Sequence, residues 1–242
     1  MNILVVNDDG VDAVGIHKLA LALRKYGNVV VCAPDTGRSA ASHSIVIQGP
    51  LTFKYLGNHD QIEWYKTSGM PADCVRMALK LTGLDFDLVF SGVNDGLNLG
   101  TDIIYSGTVS AAREAHIQGL PAIAISTDYG AFSIVDAELD ALLNYIFEKE
   151  LYSREYVLNI NFPEEKFLNS LGYRFCRQGI KIFNTGFKQL EKESYLNDES
   201  IITYDENQDT DVYLAGRGYI TLVPLQVEQT KLDSLEQLKK KQ

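Results

Sequence analysis

Two aspartates stand next to each other near the start of the chain. Asp8 and Asp9 follow an apolar run at 3–6 and precede Gly10. A lone aspartate in such a place most simply forms a turn or caps a helix, because its side chain accepts hydrogen bonds from nearby backbone N–H groups. Two adjacent carboxylates repel each other, however, and a bound cation relieves that repulsion. The pair therefore points to a metal site, with a simple turn as the alternative.

Two more polar, glycine-containing stretches follow short apolar runs further along the chain. The run at 29–32 leads into 34–39, and the run at 88–90 leads into 91–98. In an open parallel sheet, ligands bind beyond the carboxyl ends of the strands, where loops lead into helices. If these runs are strands of one such sheet, all three polar stretches lie at one edge, and we expect them to form a single site.

The side chains near the aspartates limit the kind of metal. No Cys or His stands close to Asp8 and Asp9 in the sequence. The ligands would therefore be oxygen atoms, which favours Mg²⁺, Mn²⁺ or Ca²⁺ over zinc. The four histidines, His17, His43, His59 and His116, show no metal-binding spacing, and each alone is more simply a surface or core residue. His43 is the one placed near the proposed edge, where it could donate a proton or contact a phosphate.

The stretch 106–108 suits an anion as well as a helix start. Ser106, Gly107 and Thr108 precede an Ala-rich helical pattern. A serine or threonine at a helix start usually just caps the helix. The unpaired N–H groups of a first turn also attract a phosphate, helped by the helix dipole. Capping is the simpler interpretation, and both stay open on the residues alone.

The rest of the chain supplies the elements that must position these residues. Short β-branched runs alternate with amphipathic helical stretches through the first 163 residues. We expect strands at 3–6, 29–32, 44–47, 51–56, 61–66, 88–90, 122–125 and 158–161, and helices at 15–26, 71–81, 108–118 and 136–148. Such alternation predicts an α/β fold with three layers, in which a Rossmann-like, mainly parallel sheet is covered by helices on both faces.

The second half of the chain differs in composition. From 164 to 210 it is polar and rich in Tyr, Lys, Glu and Asn. A segment with so little apolar surface is expected to project from the core as a hairpin or arm. We therefore divide the chain into a core at 1–163 that carries the site, an arm at 164–210 that serves oligomerisation, and a return at 211–242 with a strand at 219–224 and a helix at 231–241.

Composition argues against several classes of protein. The chain has 242 residues and a formal net charge of −10, which argues against binding a nucleic-acid polymer. A single nucleotide is still allowed, because a cation can neutralise its phosphate. No apolar run approaches the roughly 20 residues of a membrane span, and the start of the chain lacks the pattern of a secretion signal. Cys32, Cys74 and Cys176 are odd in number and far apart, so we expect reduced core thiols in a cytoplasmic protein.

Taken together, these motifs resemble one known family, SurE, also called survival protein E or 5'/3'-nucleotidase. The matching blocks lie at 3–10, 33–35, 38–45, 68–75, 91–94, 98–100, 105–109, 210–212, 218–219 and 224–225. They fall in the family's order and span most of the chain. Two positions depart from the pattern: Met70 stands where members usually carry Thr, and Asp95 adds a charge beside Asn94.

The resemblance implies a site and an activity. It implies a metal held by Asp8, Asp9, Ser39 and Asn94. The activity implied is a divalent-metal-dependent 5'-nucleotidase that hydrolyses nucleoside monophosphates to nucleoside and phosphate, extending to 3'-nucleotides and short polyphosphate. Each subunit would hold one divalent ion, Mg²⁺ or Mn²⁺, with Ca²⁺ able to take its place. The resemblance also implies a homodimer or homotetramer whose C-terminal elements are exchanged between subunits.

Phosphate-ester hydrolysis is mostly a matter of position and charge. We expect the metal to neutralise phosphate oxygens and to activate or orient the attacking water. Asp8 or Asp9 would accept a proton, with a covalent aspartyl phosphate as a variant. The equatorial phosphate oxygens would be bound by Asn98 and by the helix start at 106–108, with His43 as a helper.

Three other functions compete with this one. A phospho-receiver signalling module also begins with a strand that runs into paired acids, but it needs an Asp at the end of the third strand, and 48–55 offers none. A phosphatase with an aspartyl nucleophile needs a second Asp two residues later, where Gly10 stands. A catalytically idle nucleotide-binding protein would have no need of the metal ligands, whereas all the ligand positions implied by the resemblance are retained.

Overall fold

A nine-stranded sheet organises the computed structural model, which describes residues 1–183, 186–198, 201–204 and 207–241. Its strands are β1 (Asn2–Val6), β2 (Asn28–Pro34), β3 (Phe53–His59), β4 (Ile62–Thr67), β5 (Leu88–Asp95), β6 (Ala122–Thr127), β7 (Val157–Asn161), β8 (Tyr173–Phe175) and β13 (Ile220–Leu225). Four further strands form two small sheets: β9 (Lys181–Phe183), β10 (Gly186–Glu191), β11 (Ser194–Asp198) and β12 (Ile201–Tyr204). The helices are α1 (Val14–Leu23), α2 (Pro71–Leu81), α3 (Gly107–Ile117), α4 (Phe132–Glu148), α5 (Asp211–Ala215) and α6 (Leu232–Lys239), with a 3-10 helix at Gly100–Ile104 before α3.

The sheet is mainly parallel. In spatial order its strands are β3-β4-β2-β1-β5-β6-β7-β13-β8, and the six from β4 to β7 run parallel to one another. The outer strands differ: β3 is antiparallel to β4, β13 is antiparallel to β7, and β8 is parallel to β13. The prediction of an α/β fold with a Rossmann-like, mainly parallel sheet is confirmed.

Helices cover both faces of the sheet because its central strands are apolar on both sides. Along β1, Ile3 and Val5 pack in the cluster that contains α1 and α4, whereas Leu4 and Val6 pack in the cluster that contains α2 and α3. Successive strand residues point to opposite faces, so each central strand contributes to two cores. The three predicted layers are therefore confirmed. Because β1 pairs in parallel with both β2 and β5, the carboxyl ends of these three strands lie at one edge of the sheet.

One predicted strand, at 44–47, does not form. The N–H of Val46 donates to the carboxylate of Asp73 at 2.9 Å, and the backbone here pairs with no strand. Ile47 is 86% exposed. β-Branched residues favour a strand when they fit a half-buried sheet surface. This run is bonded to α2 instead, and the side chain of Ile47 lies in solvent. The prediction of a strand at 44–47 is therefore wrong.

β5 is longer than the apolar run that predicted it. It spans Leu88–Asp95, because Asn94 and Asp95 pair with Ser126 and Thr127 of β6 beyond an irregularity in the ladder. Ser91, Gly92 and Val93 are as buried as the apolar run before them, but a serine and a glycine interrupt the hydrophobic pattern, so the predicted strand ended too early. Asn94 consequently lies in the end of a strand, where its backbone is fixed on the sheet.

The segment predicted as a projecting arm, 164–210, is divided between several environments. Its strand β8 belongs to the main sheet, next to β13. Its strands β9 and β12 pair with each other, and β9 also lies against the 3-10 helix. The hairpin of β10 and β11 exposes Phe187, Leu190 and Tyr195. The parts of the predicted arm at 184–185, 199–200 and 205–206 lie outside the described residues.

The described residues also bear on membranes and on cysteine chemistry. None of the helices in the described ranges is both long enough and apolar enough to cross a lipid bilayer. Cys32, Cys74 and Cys176 are buried free thiols, which confirms the expectation of core cysteines without disulfides. Cys32 on β2 and Cys74 on α2 lie in the same apolar cluster.

Candidate metal and phosphate site

Asp8 and Asp9 are held in a tight turn at the carboxyl end of β1. Asn7 is fully buried and shapes this turn. Its side-chain amide donates to the carbonyl of Gly10 at 2.8 Å, and its side-chain oxygen accepts from the N–H of Gly10 at 3.2 Å. Because one rigid side chain bridges the turn, the two carboxylates are presented at a fixed place beyond the sheet.

Asp8 is almost completely buried, with 4% of its surface exposed. Its carboxylate accepts hydrogen bonds from the hydroxyl and from the backbone N–H of Thr108, at the start of α3. Burial raises the pKa of Asp8 to about 6, because the bonds from Thr108 offset the loss of water only in part and the charge of Asp9 adds to the shift. A cation beside Asp8 would supply the missing stabilisation.

Asp9 faces the end of β5. Its carboxylate accepts a hydrogen bond from the backbone N–H of Asp95 at 3.1 Å. Burial raises the pKa of Asp9; the bond from Asp95 opposes that shift, and the negative side chain of Asp95 adds to it. The Asp95 carboxylate in turn accepts from the N–H of Gly130 at 2.7 Å, which fastens the loop after β6 beside the site.

Asn94 brings an amide oxygen to the same place. Its side-chain nitrogen donates to the carbonyl of Gly96 at 2.7 Å, which orients the amide. Its side-chain oxygen lies 3.2 Å from the hydroxyl of Thr108, the group that also bonds to Asp8. We call Asp8, Asp9, Asn94 and Thr108 the acidic centre. Thr108 bonds to both Asp8 and Asn94, and Asp9, which follows Asp8, bonds to the backbone of the residue after Asn94.

The loop after β2 passes beside Asp8. The N–H of Arg38 donates to the carbonyl of Asp8 at 2.7 Å, so Ser39 follows directly from a residue fastened to the acidic centre. Ser39 itself is exposed. Further on, the N–H of Ser42 donates to the carbonyl of Tyr105 at 2.9 Å, which ties the same loop to the segment before α3. The loop that carries Ser39 is therefore fastened both to Asp8 and to the segment before α3.

The start of α3 packs against Asp8. Ser106 caps the helix, because its hydroxyl accepts from the N–H of Val109 at 3.0 Å. A Cβ atom on Gly107 would lie 2.7 Å from the Cβ of Asp8, closer than side chains pack, so this position requires glycine. The N–H groups of the first turn and the positive end of the helix dipole thus face the carboxylate and any anion bound beside it.

Asn98 is buried where the segment after β5 passes over β6 and β7. Its side-chain nitrogen donates to the hydroxyl of Ser126 at 2.8 Å, and its backbone N–H donates to the side chain of Asn161 at 2.7 Å. Its carbonyl accepts from the side chains of Asn159 and Asn161, each at 3.0 Å. The bond to Ser126 uses one of the two N–H groups of the side-chain amide, and a contact of Asn98 with phosphate stays a prediction.

His43 contacts the body of α3 and not its start. Its Nε2 lies 3.0 Å from a carboxylate oxygen of Glu114, two turns beyond the beginning of the helix. Glu114 also accepts from the side chain of Gln118 at 3.0 Å and lies 3.8 Å from Arg76. The structure thus gives His43 a partner away from the acidic centre, and its role as a helper in catalysis stays a prediction.

The donors at the acidic centre are oxygen atoms. The carboxylates of Asp8 and Asp9 and the amide oxygen of Asn94 suit Mg²⁺ or Mn²⁺, and the hydroxyl of Ser39 as a further ligand stays a prediction. Among the residues that the structure describes, no group of three or more His, Cys, Asp or Glu side chains is placed to hold a metal ion. A metal here therefore needs amide and hydroxyl oxygens as well, and the buried, incompletely compensated Asp8 fits a cation.

The supporting contacts of some residues were not predicted from the sequence. Asn159 and Asn161 stand two apart in the otherwise apolar β7 and are fully buried. Two polar residues on one face of a core strand are a signal that could have been used, because buried amides need partners. Asp95 gave no such signal, since its role depends on the distant Gly130.

Comparison with known proteins finds the same family as the sequence motifs, and the similarity extends over nearly the whole chain. Residues 3–185 match the family model described as Survival protein SurE. A relative from Clostridium botulinum (strain Loch Maree / Type A3), named 5'-nucleotidase SurE, is 42% identical over 246 residues, covering 98% of this chain and 97% of the relative. A relative of the same name from Haemophilus influenzae (strain 86-028NP) is 40% identical over 248 residues, covering 97% and 95%. The crystal structure of Sure protein from Aquifex aeolicus is similar with a TM-score of 0.79 and 31% identity, covering 99% of this chain and 98% of that one.

Proposed function

The chain belongs to the SurE family and is a 5'-nucleotidase, and we propose that it hydrolyses nucleoside monophosphates to a nucleoside and phosphate at the acidic centre. The observation that carries the proposal is the contact of the buried carboxylate of Asp8 with the start of α3 at Thr108. The carboxylate side supplies ligands for a cation, and the helix side supplies N–H groups for a phosphate. Together they can position a phosphate and stabilise the charge that develops on it in phosphoryl transfer.

The cation in this proposal is one Mg²⁺ or Mn²⁺ per subunit, with Asp8, Asp9, Asn94 and Ser39 as its ligands. When bound, such an ion neutralises phosphate oxygens and makes a water molecule more acidic. The chain contributes rigidity, because Asn7 fixes the turn that carries both aspartates. It also contributes burial, which strengthens every charge interaction at the site.

The chain's own groups bind and orient the substrate phosphate. The backbone N–H of Gly107 is the donor for phosphate at the start of α3, while the N–H of Thr108 bonds to Asp8. Ser106 caps the helix, and Asn98 fixes the backbone that leads to it. Asp8 or Asp9 accepts the proton that the attacking water loses. A direct role for His43 requires it to share or leave its contact with Glu114.

The range of substrates and the place of action are also proposals. A site that grips a phosphate through a cation and helix N–H groups makes few demands on the rest of the molecule. We therefore expect 3'-nucleotides and short polyphosphate to be hydrolysed as well, in the cytoplasm. The signalling-module alternative has no support in the family membership, and an idle nucleotide-binding protein is an outcome that the assay distinguishes.

The test is phosphate release from a panel of nucleoside monophosphates with Mg²⁺, Mn²⁺ or Ca²⁺. Asp8→Asn removes a ligand charge and should abolish metal-dependent release while the protein stays folded. Asp12→Asn is the matched control, because Asp12 is an exposed aspartate in the same loop. Treatment with EDTA should stop the reaction, and added cation should restore it. Near wild-type activity of Asp8→Asn, or nucleotide binding without any release, would contradict the proposal.

The predicted assembly has a structural basis in α6. This helix has no buried residue, and Leu232, Leu235 and Leu238 are 60%, 38% and 60% exposed. Apolar side chains at three-residue spacing form one stripe of a helix, which is stable when it packs against another surface. We expect that surface to belong to a second copy, in a homodimer or homotetramer that exchanges C-terminal elements. Light scattering should find an oligomer for the wild type and a smaller species when the three leucines are changed to glutamine.

A further inference from the structure

The phosphate segment, which we define as residues 98–108, is held from outside by the C-terminal part of the chain. It runs from Asn98 through the 3-10 helix at Gly100–Ile104 to the start of α3. A 3-10 helix has poor internal hydrogen-bond geometry. Its position therefore depends on neighbouring elements, and several of these lie in 178–212.

Asp211 makes the most complete of these contacts. It is fully buried at the start of α5, and both of its carboxylate oxygens accept backbone hydrogen bonds. One oxygen accepts from the N–H of Gly100 at 2.9 Å. The other accepts from the N–H of Gly179 at 2.7 Å and of Val212 at 2.8 Å. One side chain thus joins the phosphate segment to two C-terminal segments, and these bonds are what make burial of its charge tolerable.

Two glycines allow the backbones to come this close. A Cβ atom on Gly100 would lie 2.9 Å from Cγ2 of Val212, and one on Gly179 would lie 3.0 Å from the same atom. Gly100 also has a φ of +56°, in the left-handed region that favours glycine. The local sequence is therefore built so that both N–H groups reach the carboxylate of Asp211.

Neighbouring contacts act on the same stretch. The side chain of Gln178 donates to the carbonyl of Gly100 at 3.0 Å. The N–H of Lys181, in β9, donates to the hydroxyl of Thr101 at 3.3 Å, and its ammonium forms an ion pair with Asp102. The side chains of that pair are each 13% exposed, so solvent screens them little. The beginning of the phosphate segment is thus held both by Asp211 and by the stretch 178–181.

We propose that Asp211 is a positioning residue for substrate phosphate, acting by holding the phosphate segment against the acidic centre. The proposal rests on the proposed function and deepens it. Asp8 and Asn94 are fixed by β1 and β5, whereas the segment between Asn98 and Thr108 is fixed in part by Asp211. Weakening Asp211 therefore displaces the beginning of the phosphate segment and, through it, the donors for phosphate. Asp8, Asp9 and Asn94 keep their own supports at the ends of β1 and β5.

The experiment uses Asp211→Asn in the full chain. The amide nitrogen cannot accept a hydrogen bond. The variant therefore loses either the bond from Gly100 or the bonds from Gly179 and Val212. We expect KM for a nucleoside monophosphate and the dissociation constant of inorganic phosphate, measured by calorimetry with Mn²⁺ present, to rise about tenfold. We expect kcat/KM to fall between about tenfold and 100-fold. The affinity for Mn²⁺ alone should stay within about twofold of the wild type, because the metal ligands belong to other elements.

Glu138→Gln is the matched control. It makes the same chemical change in a carboxylate of α4 that accepts from the N–H of Ser170 at 2.6 Å, away from the phosphate segment. It should lower the unfolding midpoint and leave both affinities unchanged. A second variant, Gln178→Ala, removes one exposed side chain that bonds to Gly100 and should weaken phosphate binding in the same direction by a smaller factor.

Four results separate the outcomes. Wild-type phosphate affinity and kcat/KM in folded Asp211→Asn overturn the proposal, and so does a loss of Mn²⁺ and phosphate affinity in equal proportion. If Asp211→Asn does not fold, unchanged phosphate affinity in Gln178→Ala overturns it. A wild-type protein that binds Mn²⁺ and phosphate but releases no phosphate from nucleotides contradicts the proposed function instead, while the two affinities still test Asp211.

Discussion

The hydroxyl of Thr108 donates a hydrogen bond to the carboxylate of Asp8 across 100 residues of sequence. This contact fastens the start of α3 to the carboxyl end of β1, and Thr108 is fully buried. An anion at the start of α3 must therefore lie next to a carboxylate, which repels it. Attraction of the helix for phosphate and repulsion by the aspartates can be reconciled by a cation between them. In the proposed site, phosphate binding therefore depends on the cation.

Thr108→Val should strongly lower activity, because it takes away the hydroxyl that bonds to Asp8 while the side chain keeps nearly the same shape. We expect kcat/KM for a nucleoside monophosphate to fall by about 100-fold, the usual effect of losing one preorganised donor. Thr108→Ser keeps the hydroxyl and should stay within about tenfold of the wild type. Steady-state kinetics on both variants give the comparison, and equal activity of the valine and serine variants would show that the hydroxyl is not needed.

Asn94→Ala should weaken metal binding. Its amide oxygen lies 3.2 Å from the hydroxyl of Thr108 and is oriented by the bond from its nitrogen to Gly96. Removing a ligand or its oriented support should raise the dissociation constant for Mn²⁺ by about tenfold or more. Calorimetry without substrate measures this. Asn58→Ala, at an exposed position of β3, is the control, and equal Mn²⁺ affinity in the two variants would remove Asn94 from the ligand set.

Gly107→Ala should inactivate the protein through one methyl group. Its Cβ would lie 2.7 Å from the Cβ and 2.8 Å from Oδ2 of Asp8, so the helix start must move away from the acidic centre. A shift of about 1 Å at a catalytic site costs on the order of 100-fold in rate. Gly49→Ala is the control: it is strained by a φ of +90° but meets open space. Both variants should lose some stability, and an active Gly107→Ala would contradict the geometry.

The fold and the neighbourhood of Asp8 and Asn94 could be expected from the sequence. Alternation of apolar runs and helical stretches is a local signal, and the position of ligands at strand ends is a general rule of open parallel sheets. The alternation and the strand-end rule both remain valid when the predicted length of a strand is wrong by a few residues, as it was for β5. The adjacency of Asp8 and Thr108 follows once both are placed at the same edge.

Contacts between distant side chains could not be predicted in the same way. His43 stands in the loop that carries Ser39, yet it bonds to Glu114 on α3. Asp211 stands in a segment without obvious chemistry, yet it holds Gly100. Each pairing depends on the packing of loops that no periodic pattern encodes. For the same reason the arm at 164–210 could be recognised as unusual in composition, while its division between the sheet and the 3-10 helix could not.

The pair of His43 and Glu114 leads to a prediction about stability and pH. The hydrogen bond from His43 is the main cause that lowers the pKa of Glu114 below its ordinary value of 4.5, against the opposing effect of burial. A carboxyl whose pKa is lowered by folding stabilises the folded state above its ordinary pKa. That contribution is lost as the pH falls below 4.5 and through the lower pKa of the folded state.

Glu114→Gln should therefore lower the free energy of unfolding by about 1.5 to 3 kcal/mol near neutral pH, the usual value of a hydrogen bond to a charged group. The difference from the wild type should shrink as the pH falls below 4.5, because protonation then removes the charge from wild-type Glu114 as well. Urea unfolding at a series of pH values measures it. Glu148→Gln, at an exposed position of α4, should stay close to the wild type throughout. A difference that stays constant or grows toward acid would mean that the Glu114 charge does not stabilise the loop through His43.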